Sequence, residues 1–232
     1  MQAGGPRWWG AAPDAALTAA GAVLALLTRG VRAVRRDDRP LHPRGVVLRG
    51  TLRTGVDPDA PGAVPAYDGP VVVRVSRSAG LPPPLPDVHG LAFRWQTAGR
   101  TNDVLLSSTG TGRIGRFVLA ARRSPWSGSL GSVMPFRTDD GPVVLAARPA
   151  PASGPRPEHV VDVELLSARS DGPWHRWGRL TAAVEEPTDP RFDPVLHAPD
   201  GLGTYRWAAV LRLPSYRAAR GRGLDHPLNR PR

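Results

Sequence analysis

Histidine, tyrosine, arginine, the carboxylates and the Ser and Thr hydroxyls are the side chains in this sequence able to do chemistry, because cysteine and lysine are both absent. Disulfides, thiolate metal sites and cysteine nucleophiles are therefore excluded. His42, His89, His159, His175, His197 and His226 show neither H-x-x-x-H nor H-E-x-x-H spacing, which argues against a zinc-type centre. A P-loop lacks its lysine, and no G-x-S-x-G nucleophile elbow is present. The glycines of residues 108–115 (STGTGRIG) resemble a phosphate cradle only superficially, since they sit in a turn and open no helix. Most aspartates also fall in turns, against the clustered Asp and His ligands of a metal-dependent phosphodiesterase.

The elements that must position these groups are mostly strands. Residues 46–52, 71–77, 91–96, 104–108, 116–121, 143–147, 160–166 and 179–184 form short β-rich runs bounded by Gly, Pro, Asp or Asn. In residues 71–77 (VVVRVSR), Val71, Val73 and Val75 face one way, and Val72, Arg74 and Ser76 the other. Asp171-Gly172 between two runs predicts a hairpin. About eight strands without intervening helices predict an antiparallel β-barrel or sandwich, the barrel being just wide enough for side chains or one small ligand. Pro-rich breaks at 57–65, 82–86 and 149–157 read as loops, because strand-like runs resume at once. The fold class expected is β-rich α+β: an N-terminal amphipathic helix in 1–38, the barrel in 39–186, and a wrapping segment in 187–232 with a short helix near 205–212.

The formal net charge is +11, all of its cationic part arginine apart from the histidines. A guanidinium fork suits phosphate or carboxylate ligands, but 26 Gly and 27 Pro beside the arginines point first to a GC-rich genome. No RRM, helix-turn-helix or zinc-finger pattern supports specific nucleic-acid binding. Residues 17–27 (LTAAGAVLALL) are apolar and are followed by Arg29, Arg32, Arg35 and Arg36. A signal peptide has the opposite order, and the run is short for a membrane span. Asp14 can cap a helix there, with its cationic end suiting the helix dipole. Docking on the barrel is the expected fate of this helix, in a cytoplasmic protein; lying on an anionic membrane surface is the alternative.

Four segments, in order, are similar to the haem catalase superfamily. Arg39-Pro-Leu-His42-Pro-Arg44-Gly45 resembles the R-x-x-H-A-R/K-G segment that carries the distal histidine. Residues 71–95 (VVVRVSRSAGLPPPLPDVHGLAFRW) resemble V-R-F-S-x-x-x-G, a spacer, then D-x-x-G-F-A-x-K-F, with Arg74, Ser76, Gly80, Asp87, Gly90 and Ala92 in place. Phe192-Asp193-Pro194, Pro199-x-Gly201 and Leu211-Arg212-Leu213-Pro214-Ser215-Tyr216 resemble F-D-P, P-G and R-L-F-S-Y. Together they span most of residues 39–216, and the 71–95 block is the most specific.

This resemblance implies a catalase-like barrel and a haem site handling hydrogen peroxide or an organic hydroperoxide. Tyr216 would ligate the haem iron as a phenolate, a known mode, and Arg212, one helical turn behind, would favour the anion. His42 would act as general acid–base and Ser76 would orient its imidazole. Arg39 and Arg74 would pair with the propionates. Two departures weigh against dismutation. Where catalases carry a peroxide-orienting asparagine, this sequence has Ser107 and Ser108, and only residues 123–141 stand where catalases insert a long covering segment. The alternative is a degenerate, haem-free barrel that binds a small apolar ligand or a protein partner; self-association is left open.

Overall fold

The computed structural model describes residues 44–208 apart from 56, 63, 152–156, 158 and 189. The compact unit containing the barrel runs over Leu41–Tyr205. Ten strands lie in one antiparallel sheet: β1 (Arg44–Thr54), β2 (Asp68–Arg77), β3 (His89–Thr97), β4 (Arg100–Ser108), β5 (Leu130–Gly131), β6 (Phe136–Thr138), β7 (Gly141–Pro149), β8 (Val161–Arg169), β9 (His175–Glu185) and β10 (Gly203–Thr204). Neighbours follow the order β10-β6-β7-β5-β4-β3-β2-β1-β9-β8, and β7 also pairs with β8. That pairing closes an eight-stranded antiparallel barrel, with β6 and β10 as a flap beyond β7. The expected barrel is therefore present.

Alternation drives the closure. Val71, Val73 and Val75 on β2, Leu91, Phe93 and Trp95 on β3, and Val104 and Leu106 on β4 all enter one buried apolar cluster. Leu145 on β7, Leu165 on β8 and Leu180 on β9 meet them from the far wall. Branched and aromatic side chains at every second position turn a strand's apolar face inward. Phe93 stacks on Trp95 at 5.8 Å between ring centroids. Such an interior is a packed core, as the small size of an eight-stranded barrel allows.

The turns use local chemistry. Ala98 and Gly99 both have positive φ, 49° and 78°, between the paired ends Thr97 and Arg100. A two-residue loop with that backbone matches the twist of its strands. Asp171-Gly172 does sit in the β8–β9 hairpin, where the Gly172 N–H donates to the Arg169 carbonyl at 3.0 Å. Seven of the eight expected runs are strands. Residues 116–121 are not. Their first two residues belong to a 3-10 turn at Gly115–Phe117, and the rest make only an isolated bridge, Thr109 with Leu119. The eighth position in the ring belongs to the two-residue β5. The expected N-terminal helix lies outside the described residues, and of the C-terminal one only residues 206–208 are described, as helix. Among the described residues no helix is long and apolar enough to cross a membrane.

Cross-strand ion pairs lace part of the outer wall. Arg148 on β7 and Arg176 on β9 reach Glu164 on β8, at 2.8 and 3.5 Å, and Arg179 pairs with Asp162 at 3.0 Å. Arg49 on β1 pairs with Glu186 just beyond β9. Hydrogen bonding from Arg49 holds the Glu186 carboxyl at about 2, and hydrogen bonding from Arg148 lowers that of Glu164. Both groups therefore ionise more readily folded than unfolded. Their contribution to stability is complete above the ordinary value of 4.5 and is lost as pH falls through the folded values. The melting temperature is expected to fall below about pH 4.5, and to fall less steeply in a Glu164→Gln/Glu186→Gln variant. Thermal melts across that range check this; identical acid limbs in the two proteins would contradict it.

Candidate functional site

Of the residues the sequence singles out for chemistry, Arg74 and Ser76 lie among the described residues, while Arg39, His42, Arg212 and Tyr216 lie outside them. Arg74 and Ser76 sit two residues apart on β2, on the face opposite Val71, Val73 and Val75. They therefore belong to the outer wall of the barrel. Both are nonetheless buried, each 6 % exposed.

The register explains what surrounds them. Arg74 stands between Val47 on β1 and Ala92 on β3, and Ser76 between Gly45 and Gly90. Gly90 in turn faces Ser107 on β4. Small residues make this part of the wall shallow enough for a guanidinium to lie on it. A Cβ added to Gly45 would stand 2.9 Å from Arg74 Cζ and 2.7 Å from the Val75 carbonyl oxygen. The glycine of the first motif thus makes room for the arginine of the second.

Asp87 explains the rest of the 71–95 block. It is 3 % exposed, and its two oxygens accept the Ala79 and Leu81 N–H groups at 2.9 and 3.0 Å. Arg77 approaches it at 3.9 Å and donates to the carbonyls of Leu81 and Leu85 at 2.8 and 2.5 Å. One buried carboxylate and one buried guanidinium therefore tie down the loop between β2 and β3. The Asp87 backbone also exchanges two 2.9 Å hydrogen bonds with that of Arg122, joining this loop to the β4–β5 connection.

Neither a family model nor a curated protein matches this chain. Ser108 is fully buried, donates to the Ala120 carbonyl at 2.6 Å and accepts the His89 N–H at 3.0 Å. Its hydroxyl is used in holding the 109–120 turn to the barrel, so it does not replace a peroxide-orienting amide. Among the described residues no group of three or more His, Asp or Glu is placed to hold a metal ion.

Two features were not singled out in the sequence. The first is a buried network on the outer wall. Arg94 on β3 donates from Nε and Nη2 to Asp103 on β4, both at 2.6 Å. Asp103 also accepts the Asp193 N–H at 2.7 Å and faces His197 Nδ1 at 3.1 Å. Hydrogen bonding to Asp103 raises the already high pKa of Arg94, whose guanidinium also lies 5.2 Å from the Phe192 ring. The Phe192-Asp193-Pro194 motif is thereby pinned to the barrel, a structural role. The second is a cleft of about 570 Å³ at the end of the barrel where β1 finishes. Asp59, Asp139, Asp140, Arg169 and His175 line it, and His175 Nδ1 stands 3.7 Å from Asp57 Oδ2. None of the residues carrying the catalase resemblance's chemistry lines this cleft.

Proposed function

We propose that this chain is a catalase-related barrel protein that binds haem against the outer wall of β1 to β4 and acts on hydrogen peroxide or an organic hydroperoxide. The observation that carries this reading is the burial of Arg74 and Ser76 together on an outer wall made shallow by Gly45 and Gly90. A guanidinium lying flat on a wall of small residues matches a flat, carboxylate-bearing group in shape and charge, since its fork binds a carboxylate bidentately. The barrel interior is filled by a packed apolar core, so in this reading the macrocycle lies on the outside of the barrel.

In this reading Arg74, with Arg39, holds the propionates. Ser76 orients the imidazole of His42, which stands three residues ahead of Gly45 in the sequence and moves a proton between the two peroxide oxygens. Tyr216 supplies a phenolate oxygen to the iron, and Arg212 favours its deprotonated form. The haem, when bound, supplies the redox chemistry at the O–O bond.

Protein expressed with haem supplied is expected to show a Soret band that is lost in Tyr216→Phe and weakened in Arg74→Ala, with the melting curve of each variant checked in parallel. A folded, colourless protein under those conditions overturns the haem reading. One observation favours the second reading, a haem-free barrel that serves as a binding module: the Ser108 hydroxyl is spent on the 109–120 turn, leaving no amide for peroxide at that position.

A further inference from the structure

Arginines reach most of the carboxylates on this barrel. Asp68, Asp162, Glu164, Asp171 and Asp200 each pair with one or more of them. Asp59, Asp139 and Asp140 are different. They are exposed, they form no ion pair among the described residues, and all three line the cleft of about 570 Å³ at the end of the barrel where β1 finishes. Asp59 comes from the β1–β2 connection, and Asp139 and Asp140 from the turn between β6 and β7. Arg169 lines the same cleft, but its Nη1 donates to the Asp140 backbone carbonyl at 2.5 Å. In a chain of net charge +11, this cleft is therefore a place where carboxylates go unmatched by arginine.

The floor of the cleft supplies a second, independent observation. Val143 and Leu145 on β7 belong to the core cluster, and they stand opposite Arg169 and Ser167 on β8. On its other side Ser167 pairs with His175 at the start of β9. Ser167 therefore sits on the inner face of the barrel, one step below Arg169 and His175, which line the cleft. It is fully buried, and its hydroxyl has no hydrogen-bond partner among the described residues. A buried hydroxyl left unpaired costs free energy, so each such group calls for an explanation. Beside it the His175 ring stands 3.7 Å from the Asp57 carboxylate.

We propose that this cleft binds a small linear polyamine, with ammonium groups meeting the carboxylates of Asp59, Asp139 and Asp140 and the leading ammonium donating to the Ser167 hydroxyl. The cleft has the size of a small-molecule site. Its carboxylates call for a cation, and their placement decides which kind. Among the described residues no three His, Asp or Glu converge closely enough to hold a metal ion. Carboxylates on two connections, spread along one cleft, match charges spread along a chain instead. Cross-strand neighbours on one face stand about 4.5–5.5 Å apart at Cβ, so an ammonium seated beside the His175 ring is within reach of Ser167. There it gives the hydroxyl the charge-assisted partner that the fold does not. None of the residues assigned to haem takes part, so the proposal is independent of that reading.

The test is isothermal titration of the full-length protein with spermidine, and with magnesium chloride at matched ionic strength. Spermidine is expected to bind at one site per chain, and more weakly as sodium chloride is added. Asp59→Asn/Asp139→Asn/Asp140→Asn is expected to weaken binding roughly 10-fold, the sum of three exposed charge contacts. Ser167→Ala is expected to weaken it by about 10-fold, as the loss of a hydrogen bond to a charged group, while the melting temperature of the free protein holds or rises because an unpaired buried hydroxyl has gone. The asparagine variant changes exposed side chains only, so it tests the site whatever Ser167→Ala does to folding. No heat of binding from spermidine overturns the proposal. So does undiminished binding by the asparagine variant, which would place the polyamine elsewhere on the chain. Magnesium binding as tight as spermidine also overturns it, since the cleft would then read a point charge rather than an extended one.

Discussion

Gly50→Ala is expected to destabilise the barrel by about 3 kcal/mol, the upper end of what overpacking costs, because the structure has no room to relieve it. Gly50 lies at the bulge in β1, where the pairing with β9 shifts register between Arg49 and Gly50. A Cβ there would stand 2.5 Å from Ala182 Cβ and 2.6 Å from Ala182 Cα, and closer still to the Thr181 carbonyl oxygen. These atoms belong to β9 or are fixed to its backbone, so the strands must separate. Gly178 repeats the arrangement from the other side, its Cβ position being 2.5 Å from the Arg53 carbonyl oxygen. The β1–β9 seam joins strands more than a hundred residues apart and has the highest loop-closure cost in the ring. Loss of that pairing opens the barrel rather than fraying an edge. Gly112→Ala is the control: no atom lies within 4 Å of its Cβ position, and a surface change of this kind shifts stability by no more than ~0.5 kcal/mol. Urea unfolding of the two variants decides the point, and near-equal midpoints would show that β9 can yield.

The barrel was legible because its strands announce themselves twice, by branched residues at alternate positions and by Gly, Pro and Asp at their ends. Residues 116–121 (RFVLAA) carry the same signal without being a strand. Their apolar side chains point to solvent, as Val118 and Leu119 show, so local pattern and tertiary placement disagree there. The strand that takes their place, β5, is two residues within SGSLGS, too short and too glycine-rich to stand out. The site was legible less evenly. The alternation in residues 71–77 placed Arg74 and Ser76 on a shared face, which the structure keeps. It did not say which face was the core, because that depends on whether three valines or one arginine and one serine lose more water on burial. Nor did it say what buries an arginine on the outside. Asp103 carried one local clue, a carboxylate beside the apolar run of residues 104–106. Its partners come from Arg94 across the hairpin and from residues 193–197, and that registration exists only in the closed fold.

Asp103→Ala is the second large effect, and its signature differs from that of Gly50→Ala. The carboxylate is fully buried, whereas the Arg94 side chain is 22 % exposed. Removing one member of a buried pair strands the other, at a cost of roughly 3–5 kcal/mol. Water can still reach part of the Arg94 guanidinium, so the expected loss is about 3 kcal/mol, with a fall in melting temperature of roughly 6–12 °C for a domain of this size. The loss is also directional. The Asp193 N–H gives up its acceptor outright, and the 2.7 Å bond from the Asp103 N–H to the His197 carbonyl loses the side-chain contacts that frame it. Amide exchange should therefore accelerate at Asp193 and His197 beyond the change in global stability, while core amides of β3 such as Phe93 follow the global change alone. Asp103→Leu combined with Arg94→Met removes both charges and should recover much of the stability without restoring protection at Asp193, because a buried pair replaced by apolar groups of similar size is often neutral. If instead Asp193 stays protected in Asp103→Ala, the Phe192-Asp193-Pro194 segment is held to the wall by contacts other than this carboxylate, and its match to the catalase motif would have a different physical basis.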